Sequence, residues 1–195
     1  MSKVAVVFHS GYGHTAEQAK AVAAGAARVP GTVVELIRID NAAQDFAPVL
    51  EKLADADAIV FGAPTYMGSV SGVFKAFMDS TSKVWGKWND KIAAGFTNSA
   101  SQSGDKLNSL VQLSIFAAQH GMIWTSLGLM PGNNHTKGSV DDINRLGSFL
   151  GAMAQSPADA GPDVGPTNSD KKTAEHLGQR VAEAARRWTA LPVAA

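Results

Sequence analysis

Lys3-Val4-Ala5-Val6-Val7-Phe8-His9-Ser10-Gly11-Tyr12-Gly13-His14-Thr15 is the stretch that decides the fold. Its first part is a run of β-branched and apolar side chains, which fit a pleated surface better than a helix. Glycines then turn the chain, and an alanine-rich stretch over residues 15–29 predicts a helix closed by Pro30-Gly31. A second β-rich run fills residues 32–39.

Working outward, the alternation continues. Residues 46–54 read as a short helix with Leu50 and Leu53 inward, and residues 58–62 as a strand buried on both faces. Residues 70–81 place Val73, Phe74, Phe77 and Met78 at helical spacing. Strand 91–97 follows, then helix 105–120 with Leu107, Leu110, Val111, Leu113 and Phe116 on its inner arc, then strand 122–127. Residues 129–169 break into Gly, Pro and Asn, and within them 146–153 fits a helix or a strand equally. A charged helix, 170–188, closes the pattern with Leu177, Val181, Ala184 and Trp188 as its buried stripe. Five strands alternating with helices predict an α/β fold: a doubly wound parallel sheet with helices on both faces, one domain over residues 1–195.

Composition narrows the function classes. Hydrophobic residues make up 45%, but many are Ala, so close packing of elements carries part of the stability. Lys+Arg and Asp+Glu are both 17, without bias along the chain, which argues against nucleic acid as a partner. The absence of Cys removes disulfides, thiolate catalysis and Cys-based metal sites. The five His show no ligand spacing, so no metal site is expected. The apolar run after Lys3 is too short for a signal segment, and no stretch is apolar enough to insert in a membrane, so the expectation is a cytoplasmic chain.

In open α/β sheets, ligands bind beyond the carboxyl ends of the strands, where the strand order reverses. Three segments follow strands there. Residues 10–15 open a helix, and their N–H groups with the Ser10 and Thr15 hydroxyls can cradle a phosphate. They also spell G-x-G-x-x-A from Gly11 to Ala16, with Asp40 ending the second strand, a weak dinucleotide fingerprint; an ordinary glycine turn remains the plain alternative. Residues 64–69, Pro64-Thr65-Tyr66-Met67-Gly68-Ser69, suit a planar ring, and residues 98–104 are rich in Ser and Asn. A phosphate receiver domain would need acidic residues where this chain has His9-Ser10 and Ala63-Pro64.

Residues 10–15 and 62–69, with His120-Gly121-Met122, resemble the flavodoxin-like NAD(P)H:quinone oxidoreductases of the tryptophan-repressor-binding-protein type, with the spacing held from residue 3 to about residue 127. The resemblance implies a flavodoxin fold of five strands in the order 2-1-3-4-5, FMN as cofactor, and NADH or NADPH as electron donor. By position, Ser10, Tyr12, Gly13, His14 and Thr15 would hold the FMN phosphate. Pro64, Thr65, Tyr66, Met67, Gly68 and Ser69 would line the isoalloxazine, and Asn98, Ser99, Ala100 and Ser101 its other edge. His120 would be catalytic, donating a hydrogen bond or proton to the acceptor. Trp85, from a neighbouring subunit of a homodimer or homotetramer, would wall the substrate pocket with Tyr66. Tyr66-Met67 replaces the family's usual Arg-Phe, and residues 147–151 look like the second half of a split fifth strand.

The implied reaction passes two electrons from NAD(P)H through FMN to a quinone or other small acceptor, by a ping-pong hydride shuttle. The rivals are a flavodoxin-type electron carrier, an FMN reductase that releases its flavin, and a non-catalytic nucleotide-binding module. Such carriers are strongly acidic, whereas residues 4–16, 58–74, 92–104 and 107–136 of this chain carry no Asp, Glu, Lys or Arg. Those windows hold the three loops and His120, which predicts an uncharged site.

Overall fold

Strand β1 (Ser2–His9) alternates its side chains between two cores, as a period of two requires. Val4, Val6 and Phe8 meet helices α1 (His14–Ala27) and α5 (Asn168–Thr189) on one face. Ala5 and Val7 meet the opposite core, which holds helices α2 (Ala47–Ala54), α3 (Gly72–Ser80) and α4 (Lys106–Gln119). The computed structural model describes residues 1–190.

The parallel sheet runs β2 (Thr32–Ile39), β1, β3 (Ala58–Tyr66), β5 (Ile92–Ser99) and then a divided edge. β4 (Ser69–Val70) only turns back on β3 as a small hairpin. The edge is β6 (Ile123–Trp124) beside the start of β5 and β7 (Ala152–Gln155) beside its end. The expected order 2-1-3-4-5 therefore holds, with the fifth position shared by two segments.

Four local expectations are corrected. Strand 122–127 shortens to two residues because the chain leaves the sheet after Thr125, whose N–H still reaches Ala93 O at 2.7 Å. The second half of the split strand begins at Ala152 rather than spanning 147–151; Gly147 has φ 69, which no strand uses. Asn144 ties that excursion together, donating to Ser148 O at 2.9 Å and accepting from Ser148 N at 2.9 Å. Helix 70–81 starts later, because Ser69 and Val70 pair with β3 and Ser71 caps Phe74 N.

The fourth correction concerns helix faces. Leu107 and Trp188 are exposed, not inward, and Ala184 and Val111 are only half buried. The inner face of α4 runs through Lys106, Leu110, Leu113 and Ala117, so the lysine, not the leucine beside it, points under the sheet's edge.

The alanine-rich composition finds its use between α1 and α5. These helices touch backbone to backbone: Gly25 sits against the Glu175 carbonyl and Gly178 against the Val22 carbonyl, leaving no room for a Cβ at either. That contact fixes α1, and with it the loop that opens α1 at the sheet's carboxyl edge.

Candidate functional site

The loop after β1 turns through Gly13, whose φ of 91 is open to glycine and strained for other residues, and whose Cα faces the Pro162 ring. Beyond it, the first amides of α1 have no carbonyl of their own helix to bond. Ala16 N finds Ser10 Oγ at 3.1 Å and Glu17 N finds Gly13 O at 3.1 Å. The Gly13, His14 and Thr15 amides are left to meet a ligand, at the positive end of a 14-residue helix. Because Ser10 Oγ is the acceptor toward Ala16, its own proton is free to donate to an anion.

These groups form one end of a cavity of about 590 Å³. Ser10, Tyr12, His14 and Thr15 line that end, Pro64, Thr65 and Tyr66 the middle, and Asn98, Ser99 and Ala100 the far edge. Ten of the sequence-derived residues thus meet in one place. Gly13 lies in the same turn without lining it. Met67, Gly68, Ser69 and Ser101 do not line it either. Met67 and Gly68 form the left-handed tip of the β3–β4 hairpin, at φ 49 and 77. Ser69 bonds Gln112 at 3.0 Å, and Asn108 holds Gly68 O at 2.7 Å, so the hairpin is fastened to α4. Thr65 is committed internally, to Thr97 at 2.8 Å and Ser109 at 2.7 Å. Asp40 is an exposed partner of Arg38 and is not among the lining residues.

Sequence reasoning missed the fourth wall. Ser156, Ala158, Ala160 and Gly161 come from the stretch after β7, within the irregular 129–169 region. His14 Nε2 bonds Ala160 O at 2.9 Å, and Asn98 Nδ2 donates to Ser156 Oγ at 2.9 Å, so this wall is tied to both neighbouring loops. The usable signal was positional: a segment that follows a sheet strand arrives at the carboxyl edge.

The cavity's lining carries no Asp, Glu, Lys or Arg, as expected, but two cations stand behind it. Arg38 reaches Ser10 O at 3.3 Å from the end of β2. Lys106 lies behind the third loop, fully buried, and its Nζ donates to Ser99 Oγ, Ser101 O and Gln102 O, each at 2.8 Å. Burial pulls this ammonium down to about 8, against the attraction of Asp170. Counting charges along the chain overlooked both, because long side chains reach loops that lie outside their own segment.

His120 and Trp85 are elsewhere. They line a second cleft of about 330 Å³, with Met78, Gln112 and Ile115, that shares no residue with the first. Within one chain, therefore, neither reaches the loop-lined cavity. Thr81 Oγ1 donates to Met78 O at 2.7 Å, so it accepts from His120 Nε2–H at 2.8 Å. His120 Nδ1 is then a bare, buried acceptor with no partner. Burial lowers the ring's pKa, and a neutral ring in this tautomer has no N–H left to donate to an acceptor. From Ile115 in this second cleft, α4 carries an apolar stripe back through half-buried Val111 to exposed Leu107, at a spacing of four.

The cavity suits a flavin mononucleotide. Its phosphate end offers amides and hydroxyls, and its middle has a Pro and an aromatic wall. Tyr12 and Tyr66 stand edge to face at 6.3 Å over the opening. Among the described residues, no group of three or more His, Asp or Glu could hold a metal ion, and no helix is long and apolar enough to cross a membrane.

Comparison with known proteins agrees. Residues 12–133 match the sequence profile of the family described as NADPH-dependent FMN reductase. A flavodoxin, FldP, of Pseudomonas aeruginosa is 46% identical over 184 residues, which cover 93% of this chain and 96% of that protein. An NAD(P)H dehydrogenase (quinone) of Archaeoglobus fulgidus is 33% identical over 207 residues, 96% of this chain and 99% of its own. Among solved structures, a WrbA-like flavodoxin from Agrobacterium tumefaciens has a TM-score of 0.76 at 41% identity, covering 96% of this chain and 99% of that one.

Proposed function

We propose, from the premise that the chain belongs to the NADPH-dependent FMN reductase family and is an FMN-dependent oxidoreductase of the flavodoxin-like quinone reductase type, that it carries two electrons from NAD(P)H to a quinone by a ping-pong route. The observation that carries this reading is the single cavity into which three strand-end loops and the start of α1 converge. FMN, when bound, supplies the two-electron chemistry; the protein binds and orients it.

Each wall has a task. The amides of Gly13, His14 and Thr15, with the Ser10 and Thr15 hydroxyls, would hold the phosphate by dipoles, helped by Arg38 at the end of β2. Pro64, Thr65 and Tyr66 would face the ring, and Asn98, Ser99 and Ala100 would close its far edge, which Ser156 braces. Met67 and Gly68 shape the hairpin tip beside the opening. The donor nucleotide would leave before the acceptor enters, since both need the same open face beside Tyr12 and Tyr66.

A second copy of the chain, in a homodimer or homotetramer, completes the site in this reading. Trp85 and His120 would approach the acceptor only from a neighbouring subunit, and the Leu107–Val111–Ile115 stripe is the apolar surface such a neighbour would cover. Trp85 is the exposed member of that pair, and His120, buried beside it with ring centroids 5.8 Å apart, would support that wall rather than touch the acceptor.

Steady-state kinetics on FMN-loaded protein, with benzoquinone and each nicotinamide, test the route. Parallel double-reciprocal lines are expected. The 46% identity to a protein named a flavodoxin favours one alternative, an electron carrier; absence of turnover with both nucleotides, in protein that binds FMN, would decide for it.

A further inference from the structure

Lys106 is an expensive residue to keep where it is. Its ammonium is out of water, which opposes the charged form. It sits at the first position of α4, the helix end where a positive charge is disfavoured. It touches three neutral oxygens and no carboxylate. The acid that acts on it, Asp170, is already held by Arg145 through two bonds, at 2.8 and 2.7 Å, and by Gln155 N at 2.9 Å. Two cations and one carboxylate therefore leave the buried group with one uncompensated positive charge.

That charge lies directly behind the cavity. Nζ bonds the side chain of Ser99 and the carbonyls of residues 101 and 102, and Ser99 and Ala100 form the cavity's far edge. Gln155 Nε2 holds Ala100 O at 3.1 Å from the other side. A leucine or methionine at position 106 would continue the apolar inner face of α4 and spare the burial of a charge. Fastening accounts for the three N–H donors, and the charge that comes with them acts in addition.

We propose that Lys106 sets the reduction potential of the bound flavin: its ammonium, locked behind the loop of residues 99–102, favours the reduced, more electron-rich flavin over the oxidised one. This rests on the reading that the cavity holds FMN. In a buried setting, where a charge is poorly screened, one positive charge behind the ring's edge acts on the flavin at far greater strength than it would across water. Lys106 touches the loop and acts through it, so it is a positioning and electrostatic residue rather than a catalytic one.

Three variants separate charge from fastening. Lys106→Met keeps the reach and removes the charge, Lys106→Gln keeps an N–H donor without the charge, and Lys106→Arg keeps the charge. For each, fluorescence titration gives the affinity for oxidised FMN, and equilibration with a reference dye gives the two-electron midpoint potential. Loss of charge is expected to weaken reduced flavin at least tenfold more than oxidised flavin, which is a fall of about 30 mV for two electrons. Lys106→Arg is expected to stay near the wild-type potential. Unchanged potentials in Met and Gln variants that still bind FMN would overturn the proposal and leave Lys106 a fastener. A wild-type protein that fails to bind FMN would instead remove the reading of the cavity, and this inference with it.

Discussion

Gly178→Ala tests whether backbone contact between α1 and α5 holds the phosphate end of the site in place. A Cβ at Gly178 would stand 2.8 Å from the Val22 carbonyl carbon and 3.0 Å from the Ala26 nitrogen, and nearer still to the Val22 oxygen. Ordinary contact begins at 3.4 Å, so clearing the carbonyl carbon alone parts the helices by about 0.6 Å, and clearing the nearer oxygen parts them further. The neighbours are backbone and cannot rotate away. Overpacking of this kind costs about 1–3 kcal/mol, and alanine returns up to about 1 kcal/mol of helix propensity. With three backbone atoms in the way the cost falls at the upper end of that range, and a net loss of about 2 kcal/mol corresponds to roughly 4–8 °C in a domain of this size. Thermal unfolding by circular dichroism measures it, with Gly72→Ala as the control. Gly72 is also helical but has open space where a Cβ would go, and should be neutral or slightly stabilising. Gly178→Ala with the wild-type melting temperature would refute the argument that these helices need a glycine to meet.

Gly13→Ala places a side chain at φ 91 and 2.9 Å from Pro162, so the turn must distort; FMN affinity should fall about tenfold, read by flavin fluorescence, with the fold intact by circular dichroism. His9, His120 and His176 all have pKa values lowered first by burial, so the unfolded chain binds protons near pH 6.5 while the folded chain still resists them. The unfolded state then holds more protons, and stability should decline as pH drops from about 7 to 5, a slope that His120→Phe makes shallower in urea titrations. For the homo-oligomer proposed above, Ile115→Lys puts a charge in the exposed stripe of α4 and should shift sedimentation toward the monomer; an unchanged assembly state would overturn the assignment of that face as its interface.

The strand order and the three loops were legible because local chemistry and global fold agree there. Val4, Val6 and Phe8 against Ala5 and Val7 specify a two-faced strand, and Ser10-Gly11-Tyr12-Gly13 can only follow it as a turn. The fourth wall was not legible. Ser156 to Gly161 carry no periodicity, and their place depends on β7 pairing with β5 and on bonds to His14 and Asn98 that cross more than fifty positions of sequence. The placement of Trp85 and His120 was equally hidden. His120 closes α4 while Trp85 follows the turn after α3, and only the tertiary structure brings both to a different cleft.

Lys106 shows most plainly what the charge pattern left out. Periodicity assigned Leu107 to the core because it is apolar, and a lysine beside a leucine reads as solvent-facing. The true register is fixed by the hairpin: Asn108 and Gln112 must face Gly68 and Ser69 to hold it, which turns Leu107 outward and Lys106 in. Asp105, left-handed at φ 53, starts the helix at that angle. The charge-free windows of the sequence stop at residue 104 and resume at 107, and the gap between them is the point where the fold carries a cation beneath the site. An electrically neutral chain can thus place a buried cation behind the loop of residues 99–102, and net charge alone does not distinguish a reductase from an electron carrier in this fold.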